Sequence, residues 1–194
     1  RGDRQRSRQM CFAGARRSVE DEIGGRGHGV LVFRVFGAEP LFEEVGVVLF
    51  RVVQDEGSQL IARAVCEAPV EGEDTGRWLD LCAGPGGKAA LMGALARIDS
   101  AHVDAVEVSP HRAALIEKTV SDLPVDVHVA DGRNPGVGEG FDRVLVDAPC
   151  SGLGALRRRP EARWRKSPAD VPGLARLQRS LLAAAAGALA PGGV

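Results

Sequence analysis

Long apolar runs are missing from this 194-residue chain. The longest uncharged one, "LLAAAAGALA" at Leu181 to Ala190, is about half of the roughly 20 residues that a bilayer span needs. No transmembrane helix is predicted. The arginine-rich start, "RGDRQRSRQMCFAGARRS", lacks the apolar centre of a secretory leader, and its twin arginine Arg16-Arg17 runs into "SVEDE". A cytoplasmic protein without a membrane partner is expected. Net charge is nearly absent too, at -1 with a pI near 6.5, so a polyanion would have to be held by a local patch. Cys11, Cys66, Cys82 and Cys150 show no C-x-x-C or Cys/His pairing, which argues against a zinc site and a disulfide framework. His28, His102, His111 and His128 sit apart with no ligand spacing, and no metal is predicted. There is no internal repeat. The chain opens on Arg1 without an initiator methionine and closes on "LAPGGV". A fragment, cut at both ends, is expected.

What is present suits one full-sized domain: 44% of residues are apolar, enough for a sizeable core. Residues 1–51 hold an arginine-rich opening and two apolar segments, "VLVFRVF" and "VGVVLFRVV", that read as a pair of strands. From residue 52 the texture changes to short β-type runs alternating with helical patterns, the signature of an α/β fold with a parallel sheet. Helices are predicted in "DEGSQLIARAVCEA", "GKAALMGALAR", "SPHRAALIEKTVSDL" and "GLARLQRSLLAAAAGALA", and strands in "RWLDLC", "VDAVEV", "VDVHVA" and "DRVLVD". Ser109 followed by Pro110 marks a helix start. A fifth strand should follow "PGG", where Val194 alone remains.

The stretch "WLDLCAGPGGKAA" carries the most chemistry. An apolar strand bearing Asp80 runs into Cys82, Ala83, Gly84, Pro85, Gly86, Gly87 and Lys88 and then a helix, so backbone can approach a ligand closely at the carboxyl end of a strand. The spacing D-x-x-x-G-x-G fits loops that bind S-adenosylmethionine. A dinucleotide fingerprint fails because G-x-G-x-x-G is not satisfied. A Walker loop fails because Cys82 and Ala89 occupy its first glycine and its hydroxyl position. Glu107, 20 residues after Gly87, stands where an acid would grip ribose hydroxyls; alone it could be a solvated strand end. Asp131 in "VADGR" suits an adenine amine, and Asp147 closes the fourth strand. An acid at the end of each of four strands is not a packing requirement.

Together "VQDEGSQL", "LDLCAGPGGKAA", "VEVSPHR", "VADGR", "FDRVLVDAPCSGLGALRRRPEARWR" and "LQRSLLAAA" resemble the RNA cytosine-5 methyltransferases of the RsmB/Sun type, nearest to the bacterial small-subunit ribosomal RNA enzymes. The resemblance implies a class I methyltransferase (Rossmann-like) sheet, here truncated after its fourth strand, with residues 52–194 as an incomplete catalytic domain. It places cofactor binding on residues 82–88 with Asp80, Glu107, Asp131 and Asp147, adds Arg112 as a further contact, and implies a monomer acting on ribosomal RNA. In such enzymes a thiolate adds to carbon 6 of cytosine so that carbon 5 can accept the methyl group, and two cysteines serve. The resemblance makes Cys150 the one that assists product release, with the attacking thiolate in a Thr-Cys-Ser segment beyond Val194. Asp147 would lie against the cytosine edge or the cofactor. A buried, inert thiol is the competing reading of Cys150.

"RRRPEARWRK" holds Arg157, Arg158, Arg159, Arg163, Arg165 and Lys166 around Trp164. A basic patch with an aromatic beside the active-site loop suits phosphate contact with base stacking; a solvated surface loop is the alternative. Two other functions compete. An exocyclic-amine methyltransferase would need an aromatic that "DAPC" lacks, and a non-catalytic cofactor- and RNA-binding module would bind without turnover.

Overall fold

The structure is a computed structural model that describes residues 56–153, 164 and 167–194. The segment 1–51 and six of the seven residues of the expected RNA patch, Arg157, Arg158, Arg159, Arg163, Arg165 and Lys166, lie outside the described residues. Helix α1 (Glu56–Glu67) leads into strand β1 (Arg77–Asp80), helix α2 (Gly87–Asp99), strand β2 (His102–Glu107), helix α3 (Pro110–Val120), strands β3 (Val125–Val129) and β4 (Arg143–Leu145), a 3-10 turn and helix α4 (Val171–Ala188). Every element read from the sequence over these residues is present, with ends shifted by a few positions.

The four strands are parallel, in the order β3-β2-β1-β4. The chain winds outward from β1 through β2 to β3, then returns to the other side of β1 to lay down β4. That reversal opens a crevice at the carboxyl ends of β1 and β4, the place where open α/β sheets bind ligands. Alternation along β1 divides the core. Trp78 faces α1 and α2 with Ala62, Cys66, Met92 and Val103, whereas Leu79 and Leu81 face α4 with Phe141, Leu181 and Ala185. A third cluster packs α3 against the same side as α2, through Ala89, Ala105, Ile116 and Val120. Valines and alanines inside and helices on both faces are what a parallel sheet requires.

Two buried charges fasten the base of the sheet. Arg143, 3% exposed, donates to the carbonyls of Val65 and Ala68 at the end of α1 and to Asp74, and its guanidinium lies over the Trp78 ring. Asp142 accepts from the Thr75 hydroxyl and the Arg77 amide. Burial pushes its pKa up, but these hydrogen bonds prevail and hold it below the usual carboxylate value. Beyond β4, Val194 exchanges backbone hydrogen bonds with Val144 and Asp142, occupying the position at which the sequence places the start of a fifth strand.

Candidate functional site

The loop after β1 turns sharply because two of its glycines meet other groups. The Gly84–Pro85 peptide is cis, and a Cβ on Gly84 would collide with the Glu107 carboxylate. Gly86 has φ of 108°, a conformation that side chains resist, and its bare Cα faces Ile116 of α3. Helix α2 then begins at Gly87, so its free amides open toward the crevice.

Asp80 ends β1 and is 0% exposed. Both its carboxylate oxygens lack a hydrogen-bond partner among the described residues. Burial raises its pKa to about 7; the Cys82 amide, near the carboxylate but outside hydrogen-bond geometry, and the Lys88 ammonium oppose the shift, and Asp147 and Glu107 add to it. Cys82 is half-buried among the same acids, and burial first, then Asp80, Glu107, Asp147 and Asp131, push its thiol up to about 11. It stays a neutral thiol at physiological pH.

Glu107, at the end of β2, is nearly buried. Its Oε1 accepts from the Ser109 amide at 2.7 Å and from Arg112 at 2.7 Å. Ser109 is the residue before α3, as its sequence suggests, but its side chain makes no capping bond; its amide instead fixes Glu107. Arg112, expected as a direct ligand contact, here holds the acid. Asp131 lies on the same rim, with both oxygens engaged by Arg133, whose hydrogen bonds lower the Asp131 pKa to about 2. The oxygens expected to face an adenine amine are thus already engaged by Arg133. That guanidinium escaped the sequence reading, although its place two residues on in "DGR" was the available signal.

Across the crevice, Lys88 of α2 pairs with Asp147 beyond β4 at 2.5 Å. This ion pair joins the glycine loop to the segment carrying Cys150. The Cys150 side is exposed, which removes the buried-thiol reading. Its neighbour Pro149 receives a hydrogen bond from Gln178 of α4 at 2.9 Å, a positioning contact between residues 29 apart for which local spacing carries no signal. Trp164 is 78% exposed. The expected site residues from Asp80 to Asp147 therefore converge on one crevice, and Ala83 contributes through its backbone, donating to Val106 and accepting from Gly86.

A family model described as "16S rRNA methyltransferase RsmB/F" matches residues 65–194. Among individual proteins, a Mycobacterium tuberculosis relative named "Putative methyltransferase" is 64% identical over 143 residues, covering 74% of this chain and 31% of the relative. "Ribosomal RNA small subunit methyltransferase B" of Sodalis glossinidius is 41% identical over 146 residues, covering 73% and 32%. The chain thus spans about a third of the length of these relatives. The solved structure of NSun6 from Pyrococcus horikoshii with SFG superposes with a TM-score of 0.61 at 29% identity, over 73% of this chain and 35% of that one. The structure called PH0851 gives 0.65 at 32%, over 73% and 32%. With its parallel sheet, glycine loop and acid-lined crevice, the chain belongs to the 16S rRNA methyltransferase RsmB/F family.

Proposed function

We propose that this chain carries the cofactor-binding core of an enzyme that methylates carbon 5 of a cytosine in ribosomal RNA with S-adenosylmethionine. The observation that carries the reading is the Lys88–Asp147 pair, which sets the exposed Cys150 segment across the crevice from the glycine loop. The site fits the cofactor on its own chemistry: a Gly84 cradle that a Cβ would fill, an acid fixed at the end of β2, and a buried carboxylate with unused acceptors. Gly84, Gly86, Glu107 and Asp131 would hold it, with Arg112 keeping Glu107 in place.

When bound, S-adenosylmethionine supplies an electrophilic methyl group. The protein must make carbon 5 nucleophilic, and a thiolate added at carbon 6 does so; loss of the carbon 5 proton then expels the thiol. Cys82 is unsuited to the attack, because its surroundings keep it protonated. Cys150 takes the release step, its segment anchored by Gln178. No Thr-Cys-Ser triplet occurs in the 194 residues; in the whole gene product such a segment would supply the attacking thiolate. Asp147, held by Lys88, orients the base or the cofactor, and Trp164 with its basic neighbours contacts RNA.

The test is nucleoside mass spectrometry of unmethylated 16S ribosomal RNA after incubation with the whole gene product and S-adenosylmethionine. The expected product is 5-methylcytidine, and Cys150→Ser should accumulate a denaturation-resistant protein–RNA adduct. A methyl group on an exocyclic amine, or no transfer at all, would overturn the proposal. A smaller effect isolates the cradle. Gly84→Ala must swing the Glu107 carboxylate aside, so calorimetric affinity for S-adenosylhomocysteine should fall about tenfold or more, in line with the loss of a charge-assisted hydrogen bond. The melting temperature should fall as well, since the displaced carboxylate is buried and gives up its bonds to Ser109 and Arg112.

A further inference from the structure

Among the described residues, helices α1, α2 and α3 cover one face of the sheet, and α4 covers the other face over β1, β4 and the end of β2. On the uncovered part, β2 reads His102-Val103-Asp104 and β3 reads Asp126-Val127-His128, one tripeptide being the reverse of the other. The valines turn inward. Register places Asp104 directly opposite Asp126, and like charges facing each other across neighbouring strands repel. Each carboxylate is met on the diagonal by an imidazole, His102 Nε2 lying 3.0 Å from Asp126 Oδ2 and His128 Nε2 2.6 Å from Asp104 Oδ1.

We propose that His102, Asp104 and Asp126 bind one divalent transition-metal ion of the zinc class. One donor atom from each lies within 4.8 Å of the other two. Ligands around a tetrahedral zinc at about 2.0 Å are about 3.3 Å apart, so the three side chains need close by at most about 1.5 Å. His102 and Asp126 are exposed and can rotate toward Asp104, which is only partly exposed and is held by His128. Two carboxylates and a neutral imidazole balance a 2+ charge and relieve the repulsion that the register creates. Nitrogen and oxygen donors without a thiolate favour zinc, cobalt, nickel or manganese over copper(I), and the imidazole disfavours magnesium or calcium. His128 holds the Asp104 carboxylate from outside the ligand set, the kind of supporting bond that orients metal ligands. Three protein ligands leave a fourth position for water or a partner's side chain.

The site is remote from the crevice chemistry, so it is tested by binding. Untagged, metal-free full chain would be titrated with Zn2+ alone by calorimetry at pH 7.5, beside His102→Gln, Asp126→Asn and the distant His111→Gln, all with matching far-UV spectra. The expected result is one equivalent bound by the parent and by His111→Gln, with affinity lowered at least tenfold in the other two. Absence of binding by the parent, or binding that both substitutions leave unchanged, would overturn the proposal and reduce the four residues to paired ions on a sheet surface. Asp126→Asn keeps the side-chain shape, so a fold defect in His102→Gln would not decide the outcome.

Discussion

Asp80→Asn should stabilise the cofactor-free chain by about 3 kcal/mol at pH 8, raising its melting temperature by about 6–12 °C. Asp80 is fully buried, both its oxygens lack partners among the described residues, and its pKa is raised from 3.8 to about 7. A carboxyl with a raised folded-state pKa binds more protons in the folded than in the unfolded state between those two values. Stability therefore falls as pH climbs from about 4 to about 7, and the deficit is complete above 7. The full shift corresponds to about 4 kcal/mol, part of which an amide buried without partners would give back. Parent and variant should accordingly converge near pH 4 and diverge toward pH 8. Urea melts at several pH values read this directly, and equal stabilities at pH 8 would show that the carboxyl is not destabilising. The same substitution should weaken S-adenosylmethionine binding, because a charge held at a cost in the empty crevice is of use to a cationic ligand.

Arg143→Ala should destabilise the chain by about 3–4 kcal/mol, in the lower part of the roughly 3–5 kcal/mol range for removing one partner of a buried ion pair. Asp74 is partly exposed and can return to water, so the loss comes mainly from the Val65 and Ala68 carbonyls left without their donor and from the contact with Trp78. Arg143→Lys should recover less than half, since an ammonium cannot present the guanidinium's planar array of donors to three acceptors. Chemical denaturation would measure both variants. A lysine variant as stable as the parent would show that charge alone holds α1 to β4.

The order of elements was legible because a parallel sheet writes itself as short apolar runs alternating with helical stretches. The glycine loop was legible because its spacing excludes the other nucleotide-binding loops. The Arg143 site was not. In "FDRVLVD" an arginine beside an aspartate reads as a strand end in water, and what buries it is the end of a helix 75 residues earlier in the chain. The acids lie at or just beyond the strand ends, but their surroundings differ: Asp80 is sealed in and Asp131 is bound by Arg133, differences set by neighbours that local spacing does not reveal. The paired histidines escaped for a related reason. Ligand spacing is sought within a segment, whereas "HVD" and "DVH" meet only through strand register, 24 residues apart.

The reversal of strand order has a consequence for synthesis. His102 reaches its partner on β3 across 24 residues, whereas Arg77 reaches Asp142 across 65. Closing the longer loop costs only about 0.9 kcal/mol more, so the delay it imposes is one of translation more than of energy. A nascent chain that has emerged as far as β3 can already pair three strands and shield one face of them with helices. It still lacks the second wall of the crevice, and the lysine that will meet Asp147 waits for its partner until the ribosome has delivered β4 and the residues just after it.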